Sequence, residues 1–245
     1  MTVLEEIEPK QVWNEFSEIC KIPHGSGNVD ALRAFLRKRA EGYGLKCTED
    51  EAGNLLIVKE ATAGFEKAPV ICMQAHLDMV CSKRSDCIHD FLKDPIQCRI
   101  VEKEGKKILM ATGTTLGADD GMGMAVALAI LFDKEMKCGK LEALFTNDEE
   151  TTMAGVHDMK NDLLTCKYLL NLDSEDIGVV TIGSAGGFCG KVTIPKFETI
   201  KGVAGEFHCH TVKIGNCRGG HSGGDIHEYR ANAIQCLARL LYLAV

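Results

Sequence analysis

The segment PVICMQAHLDMV, residues 69–80, joins an apolar run to two polar residues. The apolar run predicts a buried β-strand, and His76 and Asp78 stand where that strand is expected to end. Since residues i and i+2 of a strand point to the same face, the imidazole and the carboxylate are expected to emerge side by side. The segment therefore predicts a strand that carries half of a polar site at its end.

Two further segments repeat this arrangement downstream. Residues 141–145, LEALF, are strand-like and mostly apolar and lead into TNDEET, and residues 168–172 lead into DSED. Before them, residues 117–132 open with GADDG and continue as a helix rich in Ala, Met and Leu. Strands that alternate with helices predict an α/β fold with a mostly parallel sheet and flanking helices. The sequence also predicts a helix after Pro9 and a second helix from residue 28 through Arg39 that stops near Gly42 and Gly44. Hairpins are predicted with turns at residues 52–54 and 104–106.

The alternation of predicted strands and helices stops at the glycine-rich stretch GSAGG, residues 183–187. Beyond it, two strand-like runs, CGKVTI over residues 189–194 and FHCHTVKI over residues 207–214, lead through RGGHSGGDIH to a helix pattern over residues 231–244. We therefore expect one domain over residues 1–185 and a second, α+β domain over residues 186–245. No C-cap signal closes the last helix, so we expect this second domain to be incomplete.

Composition and charge argue against several classes of protein. The 245 residues are 45% hydrophobic, and the formal net charge of -7, without a basic stripe, argues against nucleic-acid binding. No apolar run is long enough to span a membrane, and the acidic N-terminus does not resemble a signal peptide, so we expect a cytoplasmic protein. None of the twelve cysteines forms a C-x-x-C pair, which favours buried free thiols.

Acidic residues cluster where the predicted strands end and where the helix begins. Ligands of open α/β sheets bind beyond the carboxyl ends of the strands, so these groups are expected to meet His76 in one crevice. Carboxylates crowded together repel one another unless a cation neutralises them, which predicts a divalent metal site. The predicted members are Asp78, Asp119, Glu149, Glu150 and Asp173.

The residue types also suggest the metal and its chemistry. One histidine among carboxylates favours zinc, or manganese or cobalt, over calcium and magnesium. Side chains of adjacent residues in an extended chain diverge, so one of Glu149 and Glu150 can bind metal while the other takes a proton from water. This arrangement is typical of a metal-dependent hydrolase.

Several motifs, in order, resemble one family. QAHLDMV, HDFLKDPI, TTLGADDGMGMA, the Glu149–Glu150 pair, NLDSED, GSAGG and GGHSGGDIH are similar to the Xaa-His dipeptidases, or aminoacyl-histidine dipeptidases. These are co-catalytic zinc metallopeptidases, and the similarity extends over essentially the whole chain. The resemblance implies hydrolysis of the peptide bond in small dipeptides, a catalytic first domain, and a second domain that acts as a lid or in dimerisation.

The resemblance also implies roles for individual residues. His76 and Asp173 would bind one metal ion, Asp119 would bridge to a second ion, and Glu150 would bind that second ion. Glu149 would be the general base.

Three further features follow from the same resemblance. Asp78 would orient His76 and tune its basicity without binding the metal. The peptide bond between Asp119 and Asp120 would be cis, although Asp120 read alone is equally typical of a helix cap. His221 would stabilise the oxyanion, whereas GGHSGG read alone is also typical of a flexible loop.

The family pattern extends beyond the end of this sequence and there supplies a last histidine ligand. We therefore expect a truncated chain that needs a complementing C-terminal half or a homodimer, or a metal-binding fragment without turnover. Within the enzymes, a related deacylase or tripeptide aminopeptidase is the alternative to a dipeptidase.

Overall fold

The computed structural model describes residues 7–160, 162–174, 178–184, 186, 190–191, 193, 210–220 and 224–243. Its helices are α1 (Lys10–Ile19), α2 (Asp30–Gly42), α3 (Ala118–Phe132), α4 (Ala154–His157) and α5 (Ala233–Leu243). Its strands are β1 (Lys46–Glu49), β2 (Leu55–Lys59), β3 (Ile71–His76), β4 (Cys98–Lys103), β5 (Lys106–Ala111), β6 (Leu141–Thr146) and β7 (Tyr168–Asn171). The chain divides into two units, Met1–Ile182 and Gly183–Val245.

The first unit is built on a five-stranded sheet with the order β1-β2-β6-β3-β7. Strand β3 pairs in parallel with both β6 and β7, while β2 is antiparallel to β1 and to β6. All strands except β2 therefore point the same way. The mostly parallel α/β sheet predicted from the sequence is confirmed.

The main core lies between this sheet and helices α1, α2 and α3. Phe16, Leu36 and Leu128, one from each helix, are completely buried against sheet residues such as Phe145. Burial of a side chain of this size contributes about 1.5–3 kcal/mol. All six residues of β6 are buried, so the central strand fixes the strand ends that carry the polar residues.

Strands β4 and β5 form a separate antiparallel hairpin, with its turn where the sequence predicts one. Glu104 and Gly105 both have positive φ, at 54° and 74°. A two-residue hairpin turn that matches the twist of its strands needs positive φ at both positions.

The described part of the second unit contains helix α5. Two strands are predicted there, over residues 189–194 and 207–214. Residues 189, 192 and 194 of the first and residues 207–209 of the second lie outside the described residues. Residues 210–214 of the second form no strand. The assignment of the two units as catalytic and lid domains stays a prediction. None of the described helices combines the length and the apolar character that a membrane span requires.

The cysteines of the described residues are all free thiols, as predicted. Their expected burial is right for Cys20 and Cys72 and wrong for Cys81 and Cys217, which are exposed. Cys81 lies in the polar loop that follows β3, outside the apolar core.

Candidate metal site

His76, the last residue of β3, is oriented by the backbone just beyond it. Its ring is 1% exposed, and Nδ1–H donates a hydrogen bond of 2.8 Å to the carbonyl oxygen of Asp78. This bond leaves Nε2 facing outward, 2.8 Å from Oδ1 of Asp119 and 3.8 Å from Oδ2 of Asp173. In a neutral ring, Nε2 is then the nitrogen whose lone pair can bind a metal ion.

The residues predicted as metal ligands lie around this nitrogen. His76, Asp119 and Glu150 offer ligand atoms within 4.8 Å of one another, and so do His76, Asp120 and Asp173. The second group contains Asp120 where the family resemblance implied Asp119. Both groups stand at the carboxyl ends of β3, β6 and β7, as expected for ligands of a parallel sheet.

Asp120 is held to the backbone on both sides. Its Oδ2 accepts the N–H of His76 at 3.2 Å, and its Oδ1 accepts the N–H of Gly123 at 3.1 Å. A Cβ at position 123 would stand 2.2 Å from Oδ1 of Asp120, so the contact requires glycine. The bond between Asp119 and Asp120 is cis, as the resemblance implied.

Asp78 supports the loop that carries the two glutamates. Its carboxylate is completely buried and accepts the N–H of Glu149 at 2.9 Å, the N–H of Glu150 at 3.2 Å and the hydroxyl of Ser26 at 2.7 Å. Burial favours the neutral acid, but hydrogen bonds, chiefly from His76 and Ser26, outweigh it and lower the pKa of Asp78 to about 2. The carboxylate stays charged at neutral pH and fixes the glutamates relative to the imidazole.

Asn54, for which the sequence predicts only a turn, holds the same loop from the other side. It is completely buried, and its Nδ2 donates to Oδ2 of Asp50 and to the Gly155 carbonyl oxygen, both at 2.7 Å. Its Oδ1 accepts the N–H of Asn147 at 3.0 Å. One amide thus joins the β1–β2 turn to both ends of residues 147–155, which contain the two glutamates.

We expect Asn54→Ala to lower the free energy of unfolding by about 3 kcal/mol, because it leaves buried hydrogen-bonding groups without a partner. Urea unfolding measures the change. The exposed Asn14 offers a matched control, for which Asn14→Ala is expected to change stability by less than about 0.5 kcal/mol. Equal losses in the two variants would contradict this role of Asn54.

The clustered charged groups shift one another's pKa values, as is typical of metal ligands without a bound ion. Burial disfavours the imidazolium of His76, but hydrogen bonds to Asp78 and Asp119 outweigh burial and raise the pKa to about 10. Burial, followed by the charge of Asp119, raises the pKa of both Glu150 and Asp173. A bound cation would favour the deprotonated form of each group, so the donor set fits a divalent metal ion.

Metal binding to this cluster is expected to strengthen as pH rises. A raised pKa means that His76 holds a proton at neutral pH, and that proton must leave before Nε2 can bind metal. Release of one proton makes the Mn²⁺ affinity rise about tenfold per pH unit between about pH 6 and pH 8. Calorimetric titration at several pH values measures the slope, and an affinity independent of pH would contradict it.

A cleft of about 320 Å³ opens beside the cluster, lined by residues at the start of α3 and just after β7, including Asp119 and Asp173. A small ligand could therefore reach the predicted metal ligands. His221, the predicted oxyanion residue, lies outside the described residues.

Known proteins resemble this chain in sequence as well as in structure. The cytosol non-specific dipeptidase of Escherichia coli (strain K12) is 40% identical over 243 residues, which are 98% of this chain and 48% of that protein. The crystal structure of aminoacylhistidine dipeptidase from Vibrio alginolyticus matches with a TM-score of 0.73 and 36% identity, over 98% of this chain and 48% of that one. Over nearly its whole length, this chain is a homologue of these dipeptidases. The similarity to dipeptidases recognised from the motifs is thus confirmed.

The other comparisons show a shared fold, and the coverage shows that this chain matches only part of its relatives. A tripeptidase from Staphylococcus aureus matches with a TM-score of 0.54 and 22% identity, over 69% of this chain and 44% of that one, and shares the fold. No family model matches the chain. The chain spans about half the length, 48%, of the two dipeptidases that it matches.

Proposed function

We propose that this chain provides the metal-binding part of a peptidase that hydrolyses small dipeptides of the Xaa-His type. The observation that carries the proposal is the placement of His76 Nε2 at 2.8 Å from Asp119 Oδ1, with Glu150 and Asp173 in the surrounding ligand groups. The names of both relatives support small dipeptides as substrates, and the name of the Vibrio alginolyticus protein supports the Xaa-His type. A cytoplasmic location, expected from the sequence, is part of the proposal and agrees with the name of the E. coli relative.

The proposed centre holds two divalent ions, zinc or alternatively manganese or cobalt. His76 and Asp173 would bind one ion, Glu150 would bind the other, and Asp119 would bridge them. Ions bound here would supply Lewis acidity, which lowers the pKa of water and polarises a substrate carbonyl. The presence of a histidine among the carboxylates supports zinc, manganese or cobalt over calcium.

The remaining chemistry falls to side chains of the protein. Glu149 follows the same turn as Glu150 but is absent from the ligand groups of the described residues, so its carboxylate is free to accept a proton from water. Asp78 holds both glutamates by their N–H groups and the imidazole by its carbonyl oxygen. We retain for His221 the role of stabilising the oxyanion, which rests on the family resemblance.

A second polypeptide segment is part of the proposal. Three successive residues of the edge strand β7 are exposed although they are apolar or aromatic: Tyr168 at 51%, Leu169 at 48% and Leu170 at 52%. An exposed apolar edge strand is typical of a surface that another strand covers. We propose that the cover is a segment equivalent to the part of the dipeptidases that this chain does not match.

The proposal is tested by hydrolysis of a Xaa-His dipeptide by the purified, metal-loaded chain. Release of histidine that a chelator stops is the expected result. Tripeptides and N-acyl amino acids are assayed in parallel, and faster cleavage of either would favour the tripeptide aminopeptidase or deacylase alternative. A chain that binds metal without turnover would favour the catalytically incomplete fragment, for which the exposed β7 is the supporting observation.

A further inference from the structure

Two thiols and a carboxylate meet at the other end of the central strands. Cys72 lies near the start of β3 and pairs in register with Glu142 of β6, and Cys166 lies just before β7. One ligand atom from each of the three lies within 4.8 Å of the other two. Cys72 is completely buried, Glu142 is 1% exposed and Cys166 is half-buried, so two of the three members are shielded from water.

Glu142 is the charged member of this group. Burial favours its neutral form, but hydrogen bonds, first from Thr165 and then from Lys140, outweigh burial and lower its pKa. Lys140 Nζ stands 3.1 Å from Oε1, and Oε2 shares the Thr165 N–H with Oε1. The carboxylate is therefore ionised and paired with one lysine, and Oε2 keeps acceptor capacity.

The Cys72 thiol is neutral in this environment. Burial, followed by the charges of Cys166 and Glu142, raises the pKa of Cys72 to about 12. If a divalent cation binds, each thiol loses its proton to the solvent and forms one sulfur–metal bond. Two positive charges then replace two protons, so the net charge of the buried group does not change.

We propose that Cys72, Cys166 and Glu142 form a binding site for a thiophilic divalent cation, Zn²⁺ or Cd²⁺, separate from the His76 cluster. Thiolate ligands select soft or borderline metals and reject Mg²⁺, Ca²⁺ and Mn²⁺. Cys72 and His76 are four residues apart on one strand, which is about 13 Å. One ion cannot serve both places.

Binding here would tie the connection before β7 to the sheet. Cys166 ends a segment whose apolar residues, Met159, Leu163 and Leu164, pack on the small cluster around Cys72. A sulfur–metal–sulfur link would add to that packing, and a ligand that binds only the folded state raises the unfolding temperature.

Cadmium titration of the reduced chain tests the site, with the ultraviolet thiolate-to-cadmium charge-transfer band as the readout. The sequence contains twelve cysteines, so the decisive quantity is the difference between variants. We expect Cys166→Ser and Cys72→Val each to remove the tightest phase of the titration, and Glu142→Gln to weaken it about tenfold or more. The matched control Cys47→Ser, which changes a half-buried cysteine outside the group, is expected to keep this phase.

Two further measurements separate this site from the proposed active centre. His76→Ala is expected to retain the tight cadmium phase, and excess Mn²⁺ is expected to leave it unchanged. Urea unfolding without metal shows that each variant folds, and Cys72→Val places an apolar side chain in an apolar cluster so that folding is preserved. A tight phase that survives Cys166→Ser, or that Cys47→Ser removes equally, would overturn the proposal whatever the peptidase assay shows.

Discussion

Replacing His76 with alanine is expected to weaken Mn²⁺ binding by more than about 100-fold, the largest change in Mn²⁺ affinity that a single substitution in this chain should cause. His76 belongs to both ligand groups of the candidate site, so its loss removes a donor from each. The neighbouring carboxylates would remain, without the nitrogen ligand that the Asp78 carbonyl orients. Titration with Mn²⁺, followed by calorimetry or electron paramagnetic resonance, measures the affinity.

His157 provides the matched control. It is exposed at the end of α4, so His157→Ala is expected to bind Mn²⁺ as the unchanged chain does. Manganese is the suitable probe because thiolates bind it poorly, which keeps the cysteines out of the measurement. Unaltered binding in folded His76→Ala would remove the basis of the proposed centre.

The parts of this fold that the sequence predicts are those with local signals. Strand β3 and the hairpin turn at Glu104 and Gly105 follow from apolar runs and turn residues within a few positions. The end of the second helix also has a local signal. The sequence predicts a helix from residue 28 that stops near Gly42 and Gly44, and α2 covers Asp30–Gly42.

The residues of the candidate site also fall into those with a local sequence signal and those without one. The ligand residues stand next to strand ends, and a strand end is visible in the sequence. The supports of the site are not visible, since Asn54 binds Gly155 across 101 positions and Asp78 binds the N–H of Glu150 across 72. A buried asparagine in a turn has the same local pattern as an exposed one, so only the packed structure shows that Asn54 holds the loop.

The two adjacent glutamates show what the structure adds to the pattern. The sequence indicates that one can bind metal while its neighbour handles a proton, and the family resemblance assigns those roles. In the structure both N–H groups are fixed by Asp78, yet the ligand groups of the described residues include Glu150 and not Glu149. The geometry therefore supports different consequences for the two substitutions.

Glu149→Gln is expected to lower kcat for a Xaa-His dipeptide by a factor of about 10²–10⁴, the range that a general base contributes. Glutamine keeps the size of the side chain and cannot accept the proton from water. Because Glu149 lies outside the ligand groups, the Mn²⁺ affinity is expected to stay the same. Steady-state hydrolysis and Mn²⁺ titration on one preparation measure both quantities.

Glu150→Gln is the informative comparison, since it changes the next residue in the same way. It is expected to weaken Mn²⁺ binding and, as a consequence, to lower turnover. Excess metal should restore part of the turnover of Glu150→Gln and none of the turnover of Glu149→Gln. Glu135→Gln, an exposed glutamate after α3, controls for the loss of one negative charge. If Glu149→Gln loses metal while Glu150→Gln keeps it, the roles of the two glutamates are the reverse of those proposed. If both variants keep metal and turnover, the proton acceptor must be sought among the other carboxylates around His76.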